Sequence, residues 1–405
     1  MGFVFSLASL AGAPTANAAI PFSEREVLIN LFNTTGGAGW TQNYNWCDGT
    51  CPASPDVTFN AAGTECTWFG VYCDATETMV TGLGLRENNL IGTIPDLSNL
   101  PNLLAIDFYD NRLTGGIPSL DTLVQLQYVS VSLNPLGGTI PDLHALTDLE
   151  VFEAENDQLS GAIPDLAALH KLSSLSIYGN KLTGQFPNLA GLTNLDVVSL
   201  NDNQLTGPII GLGGLVNLQY FSAANNLLTG SVPELSTLPK LIDFDVENNQ
   251  LTGSIPDLSS SAMLQGFLAG RNRLSGNIPA FGPNMSAFSA FDNALSGAIP
   301  DLSVQTYLYY FDVHGNQLTG PFPNISGLEY LIYFFVDHNF ISGPLPVAPA
   351  SLVNGGGAAI CPNPLRVTPS AKNEAWNIAT GYSPWWAAPY PDNRCDDLFT
   401  DGLDG

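Results

Sequence analysis

Asn88-Asn-Leu-Ile-Gly-Thr-Ile-Pro95 is the first clear instance of a phrase, N-x-L-x-G-x-I-P, that returns down the chain. It recurs with drift at Asn111, Asn134, Asp157, Asn180, Asn203, Asn226, Asn249, Asn272, Asn293, Asn316 and Asn339. The step is 23 residues except from Asn272 to Asn293, where it is 21. A register held over twelve positions is not chance. A fixed period in this range is the signature of stacked structural repeats, each too small to bury its own apolar face.

Each unit carries one apolar skeleton. Counting back from Asn180, Ile177 and Leu175 alternate, which predicts a short strand. Leu172, Leu169 and Leu166 follow at three-residue steps, which suits a 3₁₀-like or helical return. The ladder Asn offers donors and an acceptor, so it can satisfy backbone groups where the chain turns out of the strand. Asp157 lacks the donors, and its turn is expected to be weaker. The Gly permits backbone geometry that other residues resist, and Ile-Pro fixes an extended segment.

The full pattern, L-x-x-L-x-L-x-x-N-x-L-[ST]-G-x-I-P, resembles the plant-type leucine-rich repeat of receptor-like ectodomains and polygalacturonase-inhibiting proteins. The resemblance implies an α/β solenoid. It would be a right-handed superhelix with a concave parallel β-sheet, a short second sheet at L-[ST]-G-x-I-P, 3₁₀ or helical returns, and disulfide-bearing caps. On this reading 1–18 is a signal peptide, 19–79 an N-terminal cap, 80–346 the repeats, and 347–405 a C-terminal cap with an acidic tail. The signal rests on a short apolar run and the small-x-small sequence Ala16-Asn-Ala18, with no apolar stretch long enough to span a bilayer.

The six cysteines lie outside the repeats: Cys47, Cys51, Cys66 and Cys73 before them, Cys361 and Cys395 after. An even number confined to the ends suggests disulfides in an oxidising compartment. Zinc is the rival for the first four, but their spacing suits it poorly. Cys66-Thr-Trp-Phe-Gly-Val-Tyr-Cys73 is similar to the N-terminal cap of plant-type repeats, and Leu31-Phe-Asn-Thr-Thr-Gly-Gly-Ala-Gly-Trp40 to its bacterial version. That likeness implies Cys66–Cys73 and Cys47–Cys51 bridges. Ser23-Glu-Arg-Glu26 reads as a capping box opening a helix. Trp376, Trp385 and Trp386 suit a terminal cap shielding the last repeat.

With 37 acidic and 11 basic side chains, the formal net charge is -26. That field repels nucleic acid and anionic membranes. Charged residues make up only 12% of the chain while 40 glycines and 29 prolines are present, a balance suited to an architecture of many turns. No catalytic signature appears: no G-x-S-x-G, phosphate loop or H-E-x-x-H. No enzyme, cofactor or metal site is expected.

The concave face is the expected binding surface. Its outward positions lie six, four and two before each ladder residue, so each forms a column of side chains. These columns are acidic, with Asp107, Glu153, Asp243, Asp245 and Glu247 among them, and aromatics interleave at Tyr109 and Tyr178. The densest cluster is Phe291, Tyr310, Asp312, His314, Tyr333, Phe335 and Asp337. His314 and Asp337 share a column, which predicts a hydrogen bond between them rather than a metal site. Exposed aromatics on a rigid sheet anchor proteins or sugars. The expected role is a secreted or cell-surface protein that binds an extracellular protein or polysaccharide without catalysis. The runner-up is a structural or ice-interacting surface, carried by the Thr or Ser before each repeat Gly (Thr114, Ser160, Thr183, Thr206, Thr229 and onward). An extracellular hydrolase comes third.

Overall fold

The computed structural model describes residues 19–52, 57–354, 356–366 and 372–381. Cys395, Trp385, Trp386, the acidic tail and 1–18 lie outside them. Two compact units divide the chain, Met1–Lys181 and Leu182–Gly405.

The first unit opens with the helix Phe22–Thr34, which buries Val27, Leu28, Leu31 and Phe32. The expected capping box is absent. Pro21, at φ -55°, takes the N-cap position with no side-chain cap bond. A proline pre-set for helical φ starts the helix before Ser23, leaving the serine inside the first turn. Glu24 faces inward instead of capping. Its buried carboxylate accepts the Val80 N–H at 2.7 Å, tying the helix to the first repeat strand. Beneath it Phe32, Trp40 and Trp46 pack with centroids 5.1–5.4 Å apart, and Trp46 meets Trp68 at 4.7 Å. Both N-terminal disulfides form, Cys47–Cys51 and Cys66–Cys73, which removes the thiolates a zinc site would need. Gly92 docks the cap onto the solenoid. At φ +117° it lies so close to Thr34 that a Cβ would sit 2.1 Å from the Thr34 carbonyl oxygen.

The repeats follow. Val80–Gly84 pairs antiparallel with Val71–Cys73, then parallel with Ala105–Asp107, and onward through Tyr128–Ser130, Val151–Glu153 and Ser174–Ser176. The central residues Leu83, Ile106, Val129, Phe152 and Leu175 align and are buried. The second unit repeats this with Val197–Ser199, Tyr220–Ser222, Asp243–Asp245, Gly266–Leu268, Ala287–Ser289, Tyr310–Asp312, Tyr333–Phe335 and Gly357–Ala359, all parallel. Each unit is a parallel-sheet β-solenoid of leucine-rich-repeat type with little helix.

In the second unit the central column is a spine of phenylalanines. Phe221, Phe244, Phe267, Phe288, Phe311 and Phe334 stack with centroids 5.0–5.9 Å apart and ring planes within 22° of parallel. Identical rings on aligned rungs fall into offset stacks, each adding about 0.5–1.5 kcal/mol beyond its buried area.

The ladder asparagines behave as their chemistry predicts. Asn111 donates from Nδ2 to the Leu85 and Phe108 carbonyls, both at 2.9 Å, and accepts at Oδ1 from the N–H groups of Asn88 and Leu90. The pattern repeats at Asn226, Asn249, Asn272, Asn316 and Asn339. It runs on past residue 346. Asn363 donates to Val336 and Ile360 and accepts from Ile341, adding a further rung. Over this end the helix Lys372–Thr380 lays Trp376, fully buried, against Phe322 at 5.7 Å, with its indole N–H donating to the Pro346 carbonyl at 3.0 Å.

The returns are tighter than helices. Leu169 N–H bonds Leu166 O and Leu172 N–H bonds Leu169 O, giving successive 3₁₀-type turns with no continuous helix. The second sheet exists as short parallel pieces, such as Ile91–Thr93 with Arg112–Thr114 and Thr206–Pro208 with Leu227–Thr229.

Candidate recognition face

Strand register places the outward columns as the repeat spacing predicts. Tyr310 stands beside Tyr333 and Asp312 beside Phe335 on neighbouring rungs. Ser289 stands beside Asp312. Rungs about 4.8 Å apart bring such side chains into contact.

In the first unit the face is a web of acids and phenols. Tyr128 donates its hydroxyl to Glu153 at 3.2 Å, and Ser176 donates to Glu155 at 2.5 Å. Burial raises the Asp107 pKa, against the pull of a backbone N–H and of Arg86, whose guanidinium lies 3.6 Å away. The same guanidinium stacks over Tyr109 at 4.8 Å. Tyr178 is partly exposed, and burial followed by the nearby Glu155 raises its pKa.

In the second unit one acidic rung, with Asp243, Asp245 and Glu247, precedes the aromatic cluster. Asp245 accepts the Glu247 N–H at 3.1 Å, and Ser289 donates to Glu247 at 2.5 Å. Burial first, and then the Glu247 charge, push the Asp245 carboxyl up to about 6. Tyr220, Asp243 and Asp245 line a shallow cleft of about 260 Å³ on this face.

Further along, Asp312 is almost fully buried and organises its neighbours. Tyr310 donates its hydroxyl to Oδ2 at 3.1 Å, and His314 Nδ1 lies 2.7 Å from Oδ1. The His–Asp bond therefore forms along one strand, with Asp312 rather than the expected Asp337. The His314 ring lies flat on Phe291, with centroids 4.8 Å apart and planes 12° from parallel. That stack leans the ring toward the preceding rung and away from Asp337, which holds His338 Nδ1 at 2.7 Å instead. The Asp312 bond, outweighing burial, raises the His314 pKa. Arg271 covers Phe291 at 5.3 Å. Tyr333 is 43% exposed and stacks on Phe335 at 6.2 Å, while Tyr310 meets both edge-on. The arrangement offers exposed ring faces over fixed acids. Among the described residues no three His, Cys, Asp or Glu side chains gather to hold a metal ion.

Several hydroxyls of the second sheet are spent internally. Thr114, Ser160, Thr206 and Thr252 donate to the carbonyls of Gly92, Gly138, Gly184 and Gly230 on the previous turn, at 2.9–3.2 Å. At these four positions the Thr or Ser before the Gly is a rung-to-rung clasp.

No family model matches the chain. Among solved structures it is similar to the leucine-rich-repeat ectodomain of the plant membrane receptor kinase GASSHO1/SCHENGEN3 from Arabidopsis thaliana, in complex with CASPARIAN STRIP INTEGRITY FACTOR 2. Identity is 30% and the TM-score 0.67, over 78% of this chain and 42% of that one. It is also similar to the Arabidopsis receptor kinase HAESA in complex with the peptide hormone IDA and the co-receptor SERK1. There identity is 26% and the TM-score 0.63, over 85% of this chain and 62% of that one. A plant ice-binding protein shares the fold at 23% identity and a TM-score of 0.53, over 79% of this chain and 95% of that one. The chain thus spans less than two thirds of the two receptor chains. It is a leucine-rich-repeat protein.

Proposed function

We propose that this is an extracellular, non-enzymatic recognition protein that binds a protein or glycan partner on its open strand face. The observation that carries the reading is the cluster of Tyr310, Tyr333 and Phe335, half-exposed rings held by edge and stacking contacts over the buried Asp312. Rigid aromatics lose little conformational freedom on binding, and this is the surface chemistry of binding hot spots. The acidic rung of Asp243, Asp245 and Glu247, in a chain of net charge -26, favours a cationic partner surface. Two solved structures of this fold are complexes, one of them with a peptide hormone, which supports recognition as the role. The two bridges of the N-terminal cap support an oxidising, extracellular setting, and among the described residues no helix is long and apolar enough to cross a membrane.

The test is affinity capture from the native extracellular medium with the intact chain as bait, repeated with Tyr333→Ala and Phe335→Ala together. The expected result is a partner retained by the wild type and lost by the variant. Equal retention by both would move binding off this face.

A further inference from the structure

The second unit carries another cleft, on the flank where the chain enters the strands. It has a volume of about 420 Å³ and is lined by Gln265, Asn284, Ser286, Tyr307, Tyr309 and Tyr330. These six residues form two columns. Asn284, Tyr307 and Tyr330 lie nine residues before successive ladder asparagines, and Gln265, Ser286 and Tyr309 lie seven before. The cleft is therefore a strip running across rungs, and a matching ligand is elongated in the same direction.

Its chemistry differs from that of the strand face. No charged side chain lines it, whereas the face cleft contains Asp243 and Asp245. Its tyrosines are 58%, 45% and 61% exposed at Tyr307, Tyr309 and Tyr330, and no hydrogen bond to another described residue occupies their hydroxyls. Burying apolar ring surface would gain free energy, yet nothing described covers it. The polar groups are amides and hydroxyls. The Gln265 side chain is exposed, while Asn284, half-buried, is fixed by donating Nδ2 to the Ala262 carbonyl at 2.7 Å. The backbone beneath is locked rung to rung: Ser286 N–H to Gln265 O and Tyr309 N–H to Ser286 O, both 2.8 Å, and Ile332 N–H to Tyr309 O at 2.9 Å. The platform is thus preorganised before any ligand arrives.

From this we infer that the flank cleft binds an uncharged, extended polysaccharide chain. Pyranose rings present flat C–H faces that suit tyrosine faces, and their hydroxyls both donate and accept, as amides do. Rungs about 4.8 Å apart match the length of one pyranose along an extended chain. A charged ligand would find no counter-charge here, and an anionic one would be repelled by the protein's net charge of -26. This inference stands apart from the strand-face reading, since none of its residues belongs to that surface.

Titration calorimetry of the full chain tests it, with cellohexaose, laminarihexaose and mannohexaose as neutral probes and hexagalacturonate as the acidic one. At least one neutral hexasaccharide is expected to bind, and Tyr307→Ala or Tyr330→Ala each to weaken it roughly tenfold. Tyr44→Ala, an exposed tyrosine of the N-terminal cap, is expected to change nothing. Circular dichroism checks that each variant folds, and all three side chains are exposed enough to lose. Absence of binding by every neutral probe at millimolar concentration would overturn the inference. So would affinity that survives Tyr307→Ala with Tyr330→Ala, or hexagalacturonate binding equally well.

Discussion

Asp157 accepts the Asn134 backbone N–H at 2.8 Å through Oδ1, while its Oδ2, fully buried, has no partner. Every other ladder position from Asn88 to Asn339 holds an amide. Burial dominates here and lifts the Asp157 carboxyl to about 8, outweighing the Asn134 bond. The protonated acid can donate where a neighbouring rung uses Nδ2, whereas the carboxylate cannot. The folded-state pKa lies above the unfolded value, so this group costs stability as pH rises from the unfolded pKa, near 4, through about 8.

Asp157→Asn should therefore stabilise the protein. At pH 8 the gain should be about 2 kcal/mol, the cost of a buried polar group left unmatched. It should shrink as the pH is lowered toward 4, because the folded acid is then protonated and can donate, and the unfolded acid is approaching its own pKa. Denaturant titrations of the two proteins at pH 5 and pH 8 read this directly. A variant no more stable than wild type at pH 8 would refute it.

Ladder, strand columns and N-terminal bridges are legible because each is a matter of spacing: a fixed period sets register, and register sets which side chains are neighbours. What spacing does not encode is which neighbour a side chain turns toward. His314 has Asp312 and Asp337 within reach, and the stack on Phe291 decides between them. The Asn363 rung is hidden because no Leu-[ST]-Gly follows it. The tyrosine strip is hidden because positions seven and nine before the ladder lie ahead of the alternating strand, where the apolar pattern assigns no outward column. Ser23 misleads because a capping pattern just past a proline start has the right letters in the wrong turn.

Reduction should loosen the N-terminal cap. The two bridges close short loops, with sequence separations of 4 and 7, so each contributes roughly 2 kcal/mol by loop entropy. A thiol reductant should lower the melting temperature by several degrees, while a chelator should leave it unchanged. Differential scanning calorimetry with each additive distinguishes them. A fall with chelator alone would mean that the cysteines serve a metal.

Ice should not be bound. The hydroxyls of Thr114, Thr206 and Thr252 are committed to glycine carbonyls of the previous turn, so the row does not present a uniform lattice of free donors. Nanolitre osmometry at micromolar protein should show no thermal hysteresis. Hysteresis that disappears in Thr206→Tyr with Thr229→Tyr would place an ice-binding surface on this sheet and reverse the order of the two readings.

On the strand face, anchors and charges should separate kinetically. Tyr333 and Phe335 present stacked ring area, and loss of a hot-spot aromatic costs about 2 kcal/mol or more, chiefly by faster dissociation. Asp245 and Glu247 are part-exposed acids that steer approach, and this effect is screened beyond about 10 Å at 0.1 M salt. With a captured partner on a surface plasmon resonance chip, Tyr333→Ala should raise the off-rate roughly 30-fold and leave the on-rate alone. Asp245→Asn with Glu247→Gln should cut the on-rate and flatten its salt dependence. Because the Asp245 carboxyl titrates at about 6, wild-type association with a cationic partner should slow as pH falls from 7.5 to 5.5, as the negative charge is lost. The double variant should show a smaller change over that range. If Tyr333→Ala slowed association and the acid variant sped dissociation, the division of labour would be reversed. If neither rate moved in either folded variant, the partner would be held elsewhere on the molecule.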